Sequence, residues 1–317
     1  MTPGSLPHAS DSGVIARLRR AFRGALVWYG FVLPPLFLIL IFIGYPTAIA
    51  FQQSVFTAVP GGGQKFAGTY HFERLLTDAV FWGALGNTIL LGVAFLVIII
   101  PLATILASML NRVRRGATPL KVIYFLPQLT SSVAIAILFH YVFQPDWGLL
   151  NGTLRIFGVD PLPLWLAEPR YTLTGSRAAA TILAVWAGLG YFIIVVLAGL
   201  QSIPNDLYDA AAIDGASPVQ SWWHVTLPSL RPTFIFLIIT GSIDQLARFS
   251  DLWTLGGPGG SPARSLQSIV MYIFQQGFVG SDFSLSAAAA VVFFIIVLIV
   301  TTIAFWGFLR REFTAVR

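Results

Sequence analysis

The sequence predicts an all-α integral membrane protein with six transmembrane helices. Of its 317 residues, 56% are hydrophobic and only 10% are charged, whereas an average globular domain carries about 25% charged residues. Six stretches stay apolar over the roughly 20 residues that a helix needs to cross a bilayer core about 30 Å thick. A disordered chain and an ordinary water-soluble enzyme are excluded, because neither combines so much apolar surface with so little charge.

The predicted spans are separated by more polar segments. They cover Leu26–Ala50, Gly83–Leu110, Leu120–Phe143, Ala178–Leu200, Pro232–Leu252 and Leu285–Leu309. The first is too long for a signal peptide, and no small-residue cleavage site follows it, so we expect it to be retained. We therefore expect a flexible cytosolic tail over residues 1–24 and one transmembrane domain over residues 25–317.

The positive charges predict the orientation of these spans. With the N-terminus inside, 12 of the 19 Lys and Arg residues fall in inner segments and six in outer segments. This bias is typical of cytoplasmic loops and places both termini in the cytosol. The net charge of +6 is therefore spread over several membrane flanks instead of forming one basic face, which argues against a nucleic-acid partner.

Several spans carry more proline and polar side chains than an anchor needs. Pro101 interrupts the second span and Pro127 the third, and each removes a backbone donor that a neighbour must replace. The polar residues of these two spans are Asn87, Thr88, Gln128, Thr130, Ser131, Ser132 and His140. Each is consistent either with hydrogen bonding between helices or with pore lining, and together they predict a polar cavity in the assembly.

The fifth span holds the most unusual residues, namely Asp244, Gln245 and Arg248, with Asp251 near its outer end. Asp244 lies about 20 Å along the helix from Arg231 at 1.5 Å per residue, well inside the bilayer. A charge there needs a partner or water, and Asp244 and Arg248 are four residues apart and could pair. Arg248 could alternatively snorkel outward. The face is either part of a substrate pathway or an ion pair that orients the helix.

The inner segment of residues 201–231 departs from the positive-inside pattern, because three acids precede its only strong base, Arg231. Asn205 or Asp206 could cap a first helix. Gly215 would end that helix, and a second short helix would stop at Pro228. A helix that lies on the membrane surface typically carries Lys and Arg on its polar face, and residues 201–230 contain neither. This loop is therefore better suited to a protein partner than to lipid.

The same loop resembles the EAA motif of ABC importer permeases. That motif is Glu-Ala-Ala, three residues, Gly, nine residues and Ile-x-Leu-Pro. Here Asp209-Ala210-Ala211 is followed by Gly215 and by Val225-Thr-Leu-Pro228. Asp replaces Glu and Val replaces Ile.

Further segments resemble the sugar-permease branch of that family, the maltose and glycerol-phosphate type. They are Phe81–Thr88, Phe125–Pro127, Phe143–Asn151, Trp165–Leu166, Phe249–Pro258 and Tyr272–Phe278. The similarity extends from about residue 28 to residue 311. In place of the usual Thr-Gly-Gly-Gly-Pro, the chain has Leu255 and rearranged glycines.

The resemblance implies a bacterial inner-membrane importer of a sugar or related solute. Its partners would be a second, similar permease subunit in a heterodimer, two copies of a cytosolic ABC ATPase and an extracellular solute-binding protein. The loop would be the coupling helix that docks on the ATPase. The coupling residues carried over from the motif are Asp209, Ala210, Ala211, Asp214, Gly215, Leu227 and Pro228.

The chain is not expected to be an enzyme or to bind a cofactor itself. Its two lysines, Lys65 and Lys121, do not follow a glycine as a phosphate-binding loop requires, so ATP and Mg²⁺ would be bound by the partner ATPase. The four histidines have no metal-binding spacing. An ion-coupled secondary carrier for a small polar solute is the alternative, although the chain shows no repeated halves.

Overall fold

The computed structural model describes residues 29–59, 62–113, 116–167 and 175–315, without the side chains of residues 117 and 307–315. The predicted tail of residues 1–24 lies outside these ranges. The chain divides into two compact units, Met1–Gln53 and Ser54–Arg317. The first helix, α1, extends over Tyr29–Ser54, and its turn at Leu40–Gly44 is a π-helix just before Pro46. It covers the described part of the first predicted span.

Two short strands and a helix precede the second predicted span. Strand β1, Phe56–Ala58, pairs antiparallel with β2, Gln64–Phe66, and the two terminal phenylalanines face each other. Helix α2, Tyr70–Thr77, follows and buries His71 and Leu75. The His71 Nε2 atom lies 2.7 Å from the Thr57 Oγ1 atom, which ties α2 to β1.

The first long helix of the larger unit is followed by a broken helix. Helix α3, Ala79–Asn111, begins where the Asp78 side chain accepts hydrogen bonds from the first free backbone N–H groups. Helix α4, Ala117–Phe125, continues as a 3-10 turn over Leu126–Leu129, and α5 covers Ser132–Val142. The parts of the third predicted span on either side of Thr130 and Ser131 meet at 98°, so that span is broken and not one straight helix.

Helix α6, Leu149–Ile156, lies in a loop that the buried Asn151 organises. Its Nδ2 atom donates to the carbonyls of Pro145 at 2.9 Å and Pro163 at 3.0 Å. Its Oδ1 atom accepts from the Trp165 indole at 2.7 Å. Because a buried amide must find such partners, one residue holds the segment from Pro145 to the 3-10 turn at Trp165–Ala167.

Helix α7, Ser176–Gln201, packs closely against its neighbours. Its buried residues, including Ile193 and Val196, form one cluster with Phe95 and Ile99 of α3. Gly190 allows the closest approach, since a Cβ atom there would lie 2.6 Å from the Tyr124 carbonyl carbon. The fourth predicted span is thus confirmed as a helix within this core.

The inner loop contains helix α8, Asn205–Ile213, and helix α9, Pro218–Ser229, whose middle turn is a π-helix at Trp222–Thr226. The predicted helix–glycine–helix arrangement is confirmed in outline. Two details were wrong. Pro204 occupies the N-cap position, without a side-chain cap, and Asn205 and Asp206 lie inside the first turn. The second helix continues through Pro228 to Ser229.

The fifth predicted span is also shorter than expected. Helix α10, Arg231–Leu246, ends before Arg248, and a separate helix, α11, covers Ser250–Gly256. Helices α9 and α10 meet at 58°. Helix α12, Ile269–Phe274, continues as a π-helix to Val279, and α13 covers Phe283–Ala315. The described residues contain four helices able to cross a membrane, or up to six if each bent pair is counted as one span.

Candidate functional site

A cavity of about 560 Å³ lies between the helices of the larger unit. The 3-10 turn after α4 contributes Pro127 and Gln128, and α10 contributes Thr240, Asp244 and Gln245. Its remaining lining residues come from α3, α5, α7, α10 and α11 and from the two breaks, between α4 and α5 and after α10. The cavity therefore forms where the two broken helices face each other.

Arg248 is the buried cation of this cavity, with 8% of its surface exposed. The prediction that it pairs with Asp244 is wrong, because its guanidinium makes an ion pair with Asp251. Its Nη1 atom donates to the Gln245 Oε1 atom at 3.3 Å, and its Nη2 atom donates to the Ala180 carbonyl at 3.1 Å. Arg248 does not snorkel to the surface, since these partners hold it inside the bundle.

Asp244 occupies a different position on the same cavity wall. Its side chain is exposed to the cavity. Its Oδ2 atom accepts one hydrogen bond, at 3.2 Å, from the neighbouring Gln245 Nε2 atom. The three predicted pathway residues are therefore brought together, but only Asp244 offers an open charged group.

The polar residues of the second and third spans divide between the two predicted roles. Gln128, Thr130 and Ser132 line the cavity. Asn87 instead donates to the carbonyls of Arg264 at 2.8 Å and Gln267 at 3.1 Å, so it holds the loop that precedes α12. Polar cavity lining and inter-segment hydrogen bonding both occur, each for a different set of residues.

Thr88 and His140 are two further polar residues of the second and third predicted spans. Thr88 accepts a hydrogen bond from the Ile269 backbone N–H at 2.9 Å, which joins α3 to the start of α12. His140 lies beside a second, smaller cavity together with Ile137, Tyr141 and Thr254. Neither residue lines the main cavity.

The loop between α7 and α10 carries the motif residues on α8, on the turn at Gly215 and on α9. Gly215 has φ = +78°, in the left-handed region that glycine enters at little cost. Ser217 then caps α9, since its hydroxyl accepts from the Gln220 N–H while the Gln220 side chain accepts from the Ser217 N–H. Four residues, 214–217, separate α8 from α9.

Four of the seven predicted coupling residues are exposed, two on α8 and two on the turn that follows it. Asp209, Ala210, Asp214 and Gly215 are exposed, whereas the remaining three are half-buried. The half-buried set consists of Ala211, Leu227 and Pro228. Apolar side chains beside them are also exposed; these are Leu207, Ile213, Val219 and Trp223. An exposed apolar patch next to acids is typical of a protein-binding surface.

The loop is attached firmly to the helices above it. The Tyr208 and Thr226 hydroxyls are 3.1 Å apart, which joins α8 to α9. The Trp222 indole donates to the Ser108 hydroxyl at the end of α3, at 3.2 Å. Ile203 and Leu230, at the two ends of the loop, belong to the buried cluster of α3 and α7. The loop is therefore joined to the central helices both by hydrogen bonds and by a shared buried cluster.

Sequence reasoning noted Asp251 but missed that it is the partner of Arg248. The three-residue spacing allows such a pair on one helix face, yet the pair spans the break between α10 and α11, which hydropathy does not reveal. It also missed the Asn87 contacts, because residues about 180 positions apart leave no local pattern. The left-handed Gly257 and Gly260 were the available signal for a tight turn in that loop.

The family model for the binding-protein-dependent transport system inner membrane component matches residues 99–313. This range includes the inner loop, both broken helices and the cavity residues of α7, α10 and α11. It therefore covers most of the chain and both parts of the candidate site.

Three named relatives are transport permeases. The lactose transport system permease protein LacF of Rhizobium radiobacter is 36% identical over 250 residues, 78% of this chain and 82% of that protein. The trehalose/maltose transport system permease protein MalF of Thermococcus litoralis is 32% identical and covers 87% and 92% of the two chains. The sn-glycerol-3-phosphate transport system permease protein UgpA of Yersinia pestis is 30% identical and covers 90% and 95%.

Solved structures are similar over almost the whole chain. A chain of a bacterial ABC transporter involved in the import of the acidic polysaccharide alginate has a TM-score of 0.74 at 25% identity, covering 93% of this chain and 99% of that chain. A chain of the alginate transporter in complex with its alginate pentasaccharide-bound periplasmic protein has a TM-score of 0.72 at 26% identity and covers 91% and 96%. The chain belongs to the family of inner membrane components of binding-protein-dependent transport systems, as an ABC sugar-importer permease.

Proposed function

We propose that the chain forms half of the translocation pathway of an ATP-driven importer and couples that pathway to a cytosolic ATPase through the loop between α7 and α10. The exposed turn at Gly215, joined to the central helices by Trp222 and Ser108, is the observation that carries this proposal. A loop that served only to connect two membrane spans would not need an accessible, acidic turn. Coupling requires a surface that an ATPase can bind and a connection that transmits the motion of the ATPase to the helices.

The proposed assembly contains six spans with both termini in the cytosol. The broken helix formed by α4 and α5 counts as one span, and α10 forms the fifth, with α9 bent away from it at its cytosolic end. The charge distribution supports this orientation. A second, homologous permease completes the pathway, two ATPase copies bind ATP and Mg²⁺, and an extracellular solute-binding protein delivers a sugar or related solute. The solved relative in complex with a periplasmic protein supports that last partner.

The main cavity, with Asp244, Gln245 and Arg248 on its wall, is the proposed substrate pathway in this subunit. Its position at two helix breaks supports this role, because non-helical backbone at membrane depth is tolerated where it lines a cavity. A carrier driven by an ion gradient would instead need the cavity acids to bind the coupling ion.

The coupling role is tested by Gly215→Leu in the assembled importer. Nothing in the chain lies within 4 Å of a Cβ atom at this position, so the strain comes from the positive φ and the added bulk meets only a docked partner. We expect normal membrane insertion but a loss of about tenfold or more in substrate-stimulated ATP hydrolysis. Gly215→Asn is the matched control, since Asn tolerates this backbone conformation, and it should retain more coupling than Gly215→Leu. Unchanged stimulated hydrolysis in Gly215→Leu would contradict the coupling role.

A further inference from the structure

The charges on the wall of the main cavity do not cancel. Three charged side chains line it: Asp244, Arg248 and Asp251. Together they leave one net negative charge on this subunit's part of the pathway. The three relatives named above include permeases for lactose, for trehalose and maltose, and for glycerol 3-phosphate. Membership of the family therefore does not determine whether the solute is neutral or acidic. The charges on the cavity wall provide that information.

Arg248 is not available to bind an anionic solute. The Nε and Nη2 atoms donate to the Asp251 carboxylate, Nη2 also donates to the Ala180 carbonyl, and Nη1 donates to Gln245. An acidic solute would have to displace a carboxylate that is already desolvated beside the guanidinium. Because separating a buried ion pair is costly, this arginine acts as a neutralised group on the wall.

Asp244, in contrast, faces the cavity with an accessible carboxylate. It has one described partner, the Gln245 amide at 3.2 Å, so acceptor positions remain for a hydroxyl or ammonium group of a solute. The same carboxylate repels a sugar carboxylate or phosphate at short range, where cavity walls of low dielectric strengthen the interaction.

The rest of the wall fits an uncharged saccharide. The half-buried rings of Tyr191 and Phe249 supply apolar surface, and Gln128 and Thr240 supply hydrogen-bonding groups. A sugar ring has an apolar face and a rim of hydroxyls, which is the pattern that mostly apolar pockets with a few polar groups recognise.

We propose that this cavity selects neutral or positively charged saccharides and rejects uronates and sugar phosphates, with Asp244 as the selecting residue. The inference rests on the proposed function, because it treats the cavity as the solute pathway. It also makes a claim about electrostatics that is measurable without knowledge of the solute.

The first test uses the absence of cysteine from the chain. Thr240→Cys places a thiol on the cavity wall one helical turn before Asp244. The assembled complex is treated with a cationic trimethylammonium methanethiosulfonate and with an anionic sulfonate analogue, and modification of this chain is followed by mass. Rates are normalised to those of a free thiol. We expect the cationic reagent to react about tenfold faster, from one unbalanced charge at short range.

Two further variants isolate the contribution of Asp244. Adding Asp244→Asn should bring the ratio of the two rates close to one, because the remaining arginine and aspartate neutralise each other. Adding Asp146→Asn makes the same change of charge at an exposed site away from the cavity and should leave the ratio unchanged. Ser250→Cys, on the cavity wall at the start of α11, is the second reporter. Equal rates for both reagents in the parent, or a ratio insensitive to Asp244→Asn, would overturn the inference.

The second test is uptake by the reconstituted importer from a panel of neutral sugars, amino sugars, uronates and sugar phosphates. We expect the transported members to be neutral or cationic. ATP-driven uptake of an acidic sugar in preference to its neutral form would overturn the inference and leave the importer function intact. Failure to transport any sugar with ATP would instead contradict the proposed function, while the labelling ratio would still decide the charge of the cavity.

Discussion

At the residue scale, Arg248 illustrates how a charge is held among apolar helices. Its partners come from three places in the chain: Asp251, Gln245 and the Ala180 carbonyl. Arg248 lies in the break between α10 and α11, and Asp251 lies in the first turn of α11. The Arg248 carbonyl also accepts from the Ser268 hydroxyl at 2.8 Å, so this one residue joins α7, α10, α11 and the start of α12.

Removing the carboxylate of Asp251 should therefore destabilise the chain strongly. Asp251→Asn leaves a buried guanidinium without its counter-charge, which typically costs about 3–5 kcal/mol. The midpoint of thermal unfolding of the purified chain in detergent should fall clearly. Asp244→Asn makes the same chemical change on an exposed residue of the same wall and should alter the midpoint little. Equal shifts for the two variants would show that the Arg248–Asp251 pair does not stabilise the bundle.

His71 is the second residue with a testable energetic role. It is 1% exposed. Burial lowers its pKa, the nearby Arg74 lowers it further, and the charge of Asp282 opposes the shift. The folded state therefore disfavours the protonated ring, so its contribution to stability is complete above the ordinary His pKa of about 6.5 and falls as the pH drops below that value.

We expect acidification from pH 7.5 to pH 5.5 to loosen the attachment of α2 to the hairpin. Amide exchange of residues 56–58 and 64–66 should rise at pH 5.5 relative to the same residues in His71→Gln, which cannot be protonated. Comparing the two proteins at each pH removes the intrinsic pH dependence of exchange. If wild type and variant change by the same factor, then protonation of His71 has no part in holding the hairpin.

At the element scale, sequence patterns predicted where helices lie better than where they break. The second, fourth and sixth spans were predicted within a few residues of α3, α7 and α13, because each is a long apolar run with clear polar ends. The third and fifth spans were predicted as single helices, yet they bend or stop at Thr130 and at Ala247. Hydropathy records the apolar average over a window, and it is insensitive to a turn made by a few residues.

For the candidate site, the sequence likewise predicted which residues lie together but not how they pair. Asp244, Gln245 and Arg248 were predicted as a group because charges inside a span are conspicuous, and they do share one cavity. Which charge pairs with which depends on the break after Leu246, and so the pairing could not be predicted from spacing along an unbroken helix. Pro127 was a visible signal for the other break, since proline removes a backbone donor.

Helix α7 provides the prediction at this scale. A Cβ atom at Gly190 would overlap the backbone of Tyr124 and Phe125, and backbone cannot move aside as a flexible side chain can. Gly190→Ala should therefore separate α7 from the end of α4 and lower the yield of folded protein. Gly86→Ala, in a helix where a Cβ atom meets nothing within 4 Å, is the matched control and should be neutral or slightly stabilising. Equal yields for both variants would contradict the close packing.

At the scale of the whole molecule, the cavity and the exposed turn belong to one mechanical unit. The cavity lies where α10 ends, and the turn precedes the start of the same helix. The opposite end of the loop continues from α7, whose Gly199 lies against Thr233 of α10. Movement of the turn by a bound ATPase would therefore shift both helices that form the cavity wall. The proposed orientation, which rests on the distribution of Lys and Arg, would put the turn on the cytosolic side, where ATP is available.

The proposed function requires that ATP hydrolysis on a partner, and not an ion gradient, drives transport through this chain. It is tested most directly by uptake into vesicles that contain the chain, a second permease and the ATPase, with binding protein and sugar outside and ATP at the ATPase face. We predict accumulation that continues when ionophores collapse all ion gradients and that stops without ATP. Uptake that disappears with the gradients, or that proceeds without any ATPase subunit, would contradict the account.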